Sequence, residues 1–272
     1  MKRVFSVALV IAAIVLVSGA HADGVLTSPG IATGWEGVRA PDGNVRYVAL
    51  PGRRETIVAA VRVRGGRVVH WGVLSGGFGV PLVAYDGTTG GLSADGRKLV
   101  LSSFDMRQFA VIGTRVLGLR KKIALRGIWS FDAVSPDAST LFLVQYAGTG
   151  PNAAYRVRVY DLDANRLLPG AIVDRREEEA VMRGRPVTRA MSADGRWAYT
   201  LYARDSREPF IHALDTVRRQ AFCVDLPLEV GVQKQMALRL KLVDAGRRLA
   251  VRAGPRTIVA MDTTTFDVRA EG

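Results

Sequence analysis

Few side chains in this sequence are suited to chemistry, and they are widely spaced. His21, His70 and His212 are its only histidines and Cys223 its only cysteine. His70 sits in VVHWGVL and His212 in FIHALD, two strand-like runs, so each is expected to be a hydrogen-bonded strand residue. Cys223, in the apolar run RQAFCVDLP, is expected to be a buried structural thiol. A zinc site needs three or four nitrogen, sulfur or oxygen ligands at matched spacing, and these residues do not supply one. The sequence contains no G-x-S-x-G elbow, no H-E-x-x-H and no Walker loop, and Ser75–Gly79 is not a dinucleotide fingerprint. No catalytic residue, metal or cofactor is therefore assigned.

Two stretches have unusual composition. Gly76–Gly91, GGFGVPLVAYDGTTGG, packs six glycines around Tyr85 and Asp86. Glycines let a ligand approach the backbone closely, which makes Asp86 a candidate acceptor and Tyr85 a candidate platform. The competing interpretation is a plain inter-strand loop whose Val-Pro-Leu-Val begins a strand. Asp174–Pro186, DRREEEAVMRGRP, suits a short helix or solvated insertion. Its run Glu177–Glu179 reads as a charge-compensated surface rather than a cation site.

The elements that must position these residues declare themselves by repetition. RAPDGNVRYVAL, GLSADGRKLVL, AVSPDASTLFLV, AMSADGRWAYTL and a decayed KLVDAGRRLAV align on the turn residues Asp42, Asp95, Asp137, Asp194 and Asp244. The intervals of 53, 42, 57 and 50 residues bracket the ~40 to 50 of a four-stranded propeller blade. Asp accepts a hydrogen bond from the backbone two residues on and Gly takes positive φ freely, so D-G between apolar runs closes a tight hairpin. A second turn follows each: YDLDANRLL, HALDTVRRQ and AMDTTTFDV carry an aspartate, whereas the first two units use glycine. Two hairpins in series make a meander of four strands. The expected fold is all-β, a propeller of five such blades with room for a sixth, decayed one, since a lone meander cannot bury both faces and a ring of them can.

The strings GLSADGRKLVL, SPDASTLFLV and SADGRWAYTLY, each followed by an LDT-like turn, resemble the blades of the YVTN/WD40-like β-propeller superfamily of secreted bacterial proteins. The likeness covers nearly all of the chain after residue 22. It departs in lacking the Trp-Asp dipeptide of true WD40 repeats and in placing Ala138 where Gly is usual after Asp137. It implies a fold and not an activity, although lactonases of related blade grammar make a hydrolase the first alternative. In propellers the strand before each S-x-D-G turn lines the central channel. Three places before the serine stand Gly90, Asp132 and Arg189, so Asp132 and Arg189 join Tyr85 and Asp86 as candidate ligand-binding residues.

Residues 1–22 have the plan of a cleavable signal peptide: Lys2 and Arg3, an apolar run from Val4 to Val17, and Ala20-His21-Ala22 as cleavage site. An uncleaved anchor is the rival, but the run is short of the ~20 residues a spanning helix needs. Residues 23–272 are expected to form one secreted or envelope-located domain, a monomer without a transmembrane segment. It would lack disulfides, its only thiol being Cys223. Loss of the leader leaves 36 basic and 25 acidic side chains, a net +11. Such a charge suits an acidic envelope polymer or lipid headgroups, which gives a polyanion binder as second alternative. Nucleic acid is disfavoured. The primary expectation is a binding or scaffolding module whose partner is a protein or envelope polymer.

Overall fold

The computed structural model describes residues 37–148, 153–176, 181–205 and 207–271. The expected leader and Glu177–Glu179 lie outside the described residues. The described chain forms five antiparallel sheets, each a meander of four consecutive strands. The first blade comprises β1 (Val38–Arg39), β2 (Val45–Pro51), β3 (Glu55–Arg62) and β4 (Val68–Ser75); the second β5 (Phe78–Gly79), β6 (Lys98–Ser103), β7 (Gln108–Gly113) and β8 (Gly118–Ala124). The third contains β9 (Ile128–Val134), β10 (Thr140–Tyr146), β11 (Tyr155–Asp161) and β12 (Arg166–Leu167); the fourth β13 (Arg185–Met191), β14 (Trp197–Ala203), β15 (Phe210–Asp215) and β16 (Gln220–Asp225). The fifth has β17 (Leu238–Val243), β18 (Arg248–Ala253), β19 (Arg256–Asp262) and β20 (Val268–Ala270).

Blades stack because their strands are apolar on both faces. In β6, Leu99 and Leu101 pack toward the first blade with Val58 and Ile112, while Val100 between them packs toward Phe131 and Leu143 of the third. A strand sandwiched on both sides loses the alternation of a half-exposed strand: in β6 Leu99, Val100 and Leu101 follow one another without a polar break, and Ser102 and Ser103 are buried with them. Phe142, Val159 and Leu214 join the third and fourth blades. Leu201, Ile211, Val251 and Val259 join the fourth and fifth. Fully burying each such side chain contributes about 1.5–3 kcal/mol.

The repeated turn is a hydrogen-bonded unit in which serine and aspartate have separate tasks. Ser192 donates to Asp194 Oδ1 at 2.5 Å and accepts from the Trp197 N–H at 2.8 Å, while Asp194 accepts from the Arg196 N–H at 3.0 Å. Ser93 with Asp95, and Ser135 with Asp137, repeat the same three bonds. At Ala138, where the signature loses its glycine, the backbone still adopts φ +52°. The second turns differ: Asp161, Asp215 and Asp262 each accept the N–H groups two and three residues on.

The described α-helix, Val232–Met236, lies between the fourth and fifth blades. Buried Gln235 staples it, donating to the carbonyls of Arg207 and Val230 and accepting from the Arg204 N–H. Within Asp174–Pro186, Met182 edges the third blade by bridging Tyr155, as Ile172 just before the segment bridges Val157, and Arg185 and Pro186 begin β13 of the fourth blade. Among the described residues no helix is long and apolar enough to cross a membrane.

The Ser135 and Ser192 hydroxyls, helped by backbone N–H groups, hold the carboxyls of Asp137 and Asp194 below the usual carboxylate range. A depressed folded pKa means that the stabilisation is complete above the ordinary value of about 4 and is lost as pH falls through the lower folded value. Ser192→Ala and Asp194→Asn should each cost about 1 kcal/mol in urea unfolding at pH 7. Asp194→Asn should also flatten the loss of stability below about pH 4.

Candidate functional site

The glycine-rich segment leaves the sheet after β5 and returns at Gly91, whose carbonyl accepts the Val100 N–H. Between these points it forms a narrow hairpin, with Leu82 bridging Thr89 and the Val83 N–H bonded to the Thr88 carbonyl at 2.9 Å. Its tip reaches the fourth blade. The Tyr85 N–H donates to Pro186 O at 2.9 Å and the Asp86 N–H to Val187 O at 3.1 Å, filling bonds on the free edge of β13. Thr89 Oγ1 donates to Gly37 O at 2.8 Å, and Asp86 lies 3.8 Å from Arg239 of β17. The hairpin thus touches the first, fourth and fifth blades from the second, and Val80, Val83 and Ala84 on it are buried. It is an internal plug across the axis. Glycine is needed where it turns back into the sheet: Gly91 has φ +99°, and a Cβ there would sit 2.4 Å from the Val100 carbonyl oxygen.

The structure separates the four candidate residues into two groups. Asp86 is used locally, accepting from the N–H and hydroxyl of Thr88 at 3.0 and 2.6 Å, with Arg239 beside it. Tyr85, Asp132 and Arg189 converge on a cavity of about 20 Å³ between the plug and the third and fourth blades, room for about one water molecule. Asp132 and Arg189 form a buried ion pair, exposed by only 2% and 5%. Arg189 donates to the Asp132 carboxylate and carbonyl and, through Nε, to Thr200 Oγ1 at 2.8 Å. Among the described residues Asp132 Oδ2 has no hydrogen-bond partner.

On the other side of the same ion pair opens a larger cavity of about 330 Å³. It lies where the S-x-D-G turns converge, with Ala94 Cβ 2.7 Å from the position a Gly195 Cβ would take. Hydroxyls of Thr88, Ser93 and Ser192 and the Arg39 guanidinium line it with Phe131 and Met191. Among the described residues its only lining carboxylate is that of Asp132. A volume of this size suits a small ligand, although the Thr88, Ser93 and Ser192 hydroxyls already donate to Asp86, Asp95 and Asp194.

Sequence inspection missed an aromatic cluster beside the small cavity. Tyr155 stacks on Tyr202 at 5.7 Å and lies 6.0 Å from Tyr146, which hydrogen-bonds Ser130 at 3.1 Å. The strand positions of these tyrosines were visible, but their convergence depends on blade stacking. The two histidines diverge: His70 Nε2 lies 3.0 Å from Thr114 O, as a satisfied strand residue should, whereas buried His212 has Nε2 without a hydrogen-bond partner. His212 Nδ1 is 4.0 Å from Cys223 Sγ, and Cys223 is half-buried rather than buried because β16 is the outer strand of its blade. Among the described residues no three His, Cys, Asp or Glu side chains are grouped to hold a metal.

No known protein family matches the sequence, and no curated protein does. Solved structures do. The β-propeller domain of Cps50 (Swd1) from Myceliophteria thermophila has a TM-score of 0.52 at 11% identity, over 86% of this chain and 70% of that one. A functionally unknown protein from Desulfotomaculum acetoxidans covers 84% and 79% with a TM-score of 0.47 at 12% identity. Hydrazine synthase from Kuenenia stuttgartiensis covers 90% and 78% with a TM-score of 0.43 at 13% identity. With the five sheets, the first of these likenesses establishes the class: the fold is a β-propeller.

Burial pushes the pKa of His212 down to about 4. The unfolded chain therefore takes up a proton near pH 6.5 that the folded chain refuses, so stability falls as pH drops from about 6.5 to about 4. His212→Leu should remove that slope, of order 2–3 kcal/mol, in unfolding curves measured between the two pH values. An unchanged slope would mean that this imidazole is solvated.

Proposed function

We propose that the protein is an exported β-propeller of the secreted YVTN/WD40-like kind, acting as a binding or scaffolding module in the cell envelope or outside the cell. The observation that carries this reading is the 330 Å³ cavity at the convergence of the repeat turns. Its walls come from inner strands and turns fixed by blade packing, so a ligand would meet a surface already ordered. Pre-organisation of that kind lowers the entropy cost of binding. A lactonase-like hydrolase would need a free general base or a metal cluster at the channel. The one lining carboxylate is instead held by Arg189, which favours binding over hydrolysis.

Met191 lines the cavity and is 41% exposed, so Met191→Trp should obstruct the cavity without disturbing the core. The chain from Asp23 onward, immobilised and incubated with an envelope extract, should retain a component identifiable by mass spectrometry. Met191→Trp should lower that retention about tenfold or more, the loss of about 1.4 kcal/mol or more of binding. Equal retention by both proteins would remove the cavity from consideration. The same comparison with Tyr85→Ala and Asp86→Ala tests the plug as a contact. Export itself predicts a mature N-terminus at Asp23 in the envelope or medium fraction, and an intact Met1 there would refute cleavage.

A further inference from the structure

The second, third and fourth blades each have a blade packed on both faces, but the first has a neighbour on one only. Tyr47, Ala49, Val58, Ala60 and Leu74 pack toward the second blade. On the opposite face the strand register aligns Leu50 with Ile57 and Val73, Ala59 with Trp71, and Val61 with Val68. Five of these apolar side chains are bare, with Leu50 46% exposed, Ile57 38%, Val68 51%, Trp71 62% and Val73 48%, while Ala59 between them is buried and Val61 half-buried. Among the described residues no hydrogen bond, ion pair or apolar cluster ties the first blade to the fifth. The fifth blade's outward face could not complement this one, because its rows are Lys241–Ala250–Ala260 and Arg239–Arg252–Thr257, basic and small.

The charge around the bare face is predominantly positive. Residues 37–76 contain seven arginines against Asp42 and Glu55. Arg53 and Arg54 stand at the turn beside Leu50 and Ile57, and Arg62, Arg64 and Arg67 at the turn beside Val61 and Val68. All five are exposed, and among the described residues none has a salt-bridge partner. An apolar strip with a tryptophan between two arginine clusters is the pattern of a surface that lies in a headgroup layer. There Trp favours the interface, apolar area is buried, and each Arg is attracted to anionic lipid. A second copy is a poorer occupant, since face-to-face pairing would oppose like arginine clusters.

We infer that the outer face of the first blade, centred on Trp71 and flanked by Arg53, Arg54, Arg62, Arg64 and Arg67, is a docking surface for an anionic lipid bilayer. This surface is separate from the central cavity and does not depend on the channel reading, so either can fail alone.

The chain from Asp23 onward contains every described strand and lacks the apolar leader, which would bind vesicles by itself. It should sediment with vesicles of equal phosphatidylglycerol and phosphatidylcholine, bind phosphatidylcholine vesicles weakly, and weaken as salt rises. Trp71→Ala and the pair Arg53→Glu, Arg54→Glu should each reduce binding about tenfold or more. The pair Arg166→Glu, Arg218→Glu on the third and fourth blades changes net charge equally and should leave most binding intact. Unfolding curves for all variants check that they fold. No binding to anionic vesicles overturns the inference, as does equal loss in the Arg166/Arg218 pair, which would reduce the effect to overall charge. A dimer by light scattering that Trp71→Ala dissolves, with vesicles unbound, would overturn it in favour of self-association.

Discussion

A four-stranded meander that is apolar on both faces is unstable in water unless something covers each face, and this constraint organises the molecule. Burial of Leu99 and Leu101 on one side of β6, with Val100 on the other, requires two neighbouring blades. Blade stacking then fixes where the inner strands lie, and that placement brings Asp132 and Arg189 together from positions 57 residues apart. The ion pair, the plug docked on β13 and both cavities are consequences of stacking and not independent features.

The repeat grammar was readable because it encodes local hydrogen bonds. Ser192, Asp194 and the backbone of Arg196 and Trp197 satisfy one another within six residues, so the signature survives wherever that turn is used. Strand content was equally plain, since central strands carry consecutive apolar residues such as Leu99, Val100 and Leu101. What could not be read depended on distant partners. Six glycines and Pro81 mark Gly76–Gly91 as irregular, but nothing local reveals that Tyr85 and Asp86 lend their N–H groups to a strand a hundred residues away. The helix at Val232–Met236 is held by Gln235, whose partners include Arg204 and Arg207, so its composition alone gave little sign of it.

The candidate site was legible in part. Counting back from the turn serine located Asp132 and Arg189, and both line the larger cavity. The count could not show that they pair with each other, which changes their character from two charges available to a ligand into a neutral, buried unit with one acceptor atom left over. Tyr155 and Tyr202 escaped notice because each looks like an ordinary strand residue until the third and fourth blades meet, and His212 reads as a hydrogen-bonded strand residue for the same reason. The first blade gave the opposite difficulty. Trp71 and Val73 lie in the strand-like run VVHWGVL, and nothing local to it reveals that they are exposed because no described blade packs on that side.

Buried pairs of opposite charge reveal spatial relations that sequence distance conceals, so the coupling between Asp132 and Arg189 tests blade stacking most directly. A double-mutant cycle of Asp132→Leu and Arg189→Met, followed by urea unfolding, should give each single variant a large penalty from its unpaired partner. The double variant should recover much of the loss, with a coupling of about 2 kcal/mol or more. Penalties that simply add, within about 0.5 kcal/mol, would mean that the third and fourth blades do not meet at these residues, and the radial arrangement would be wrong.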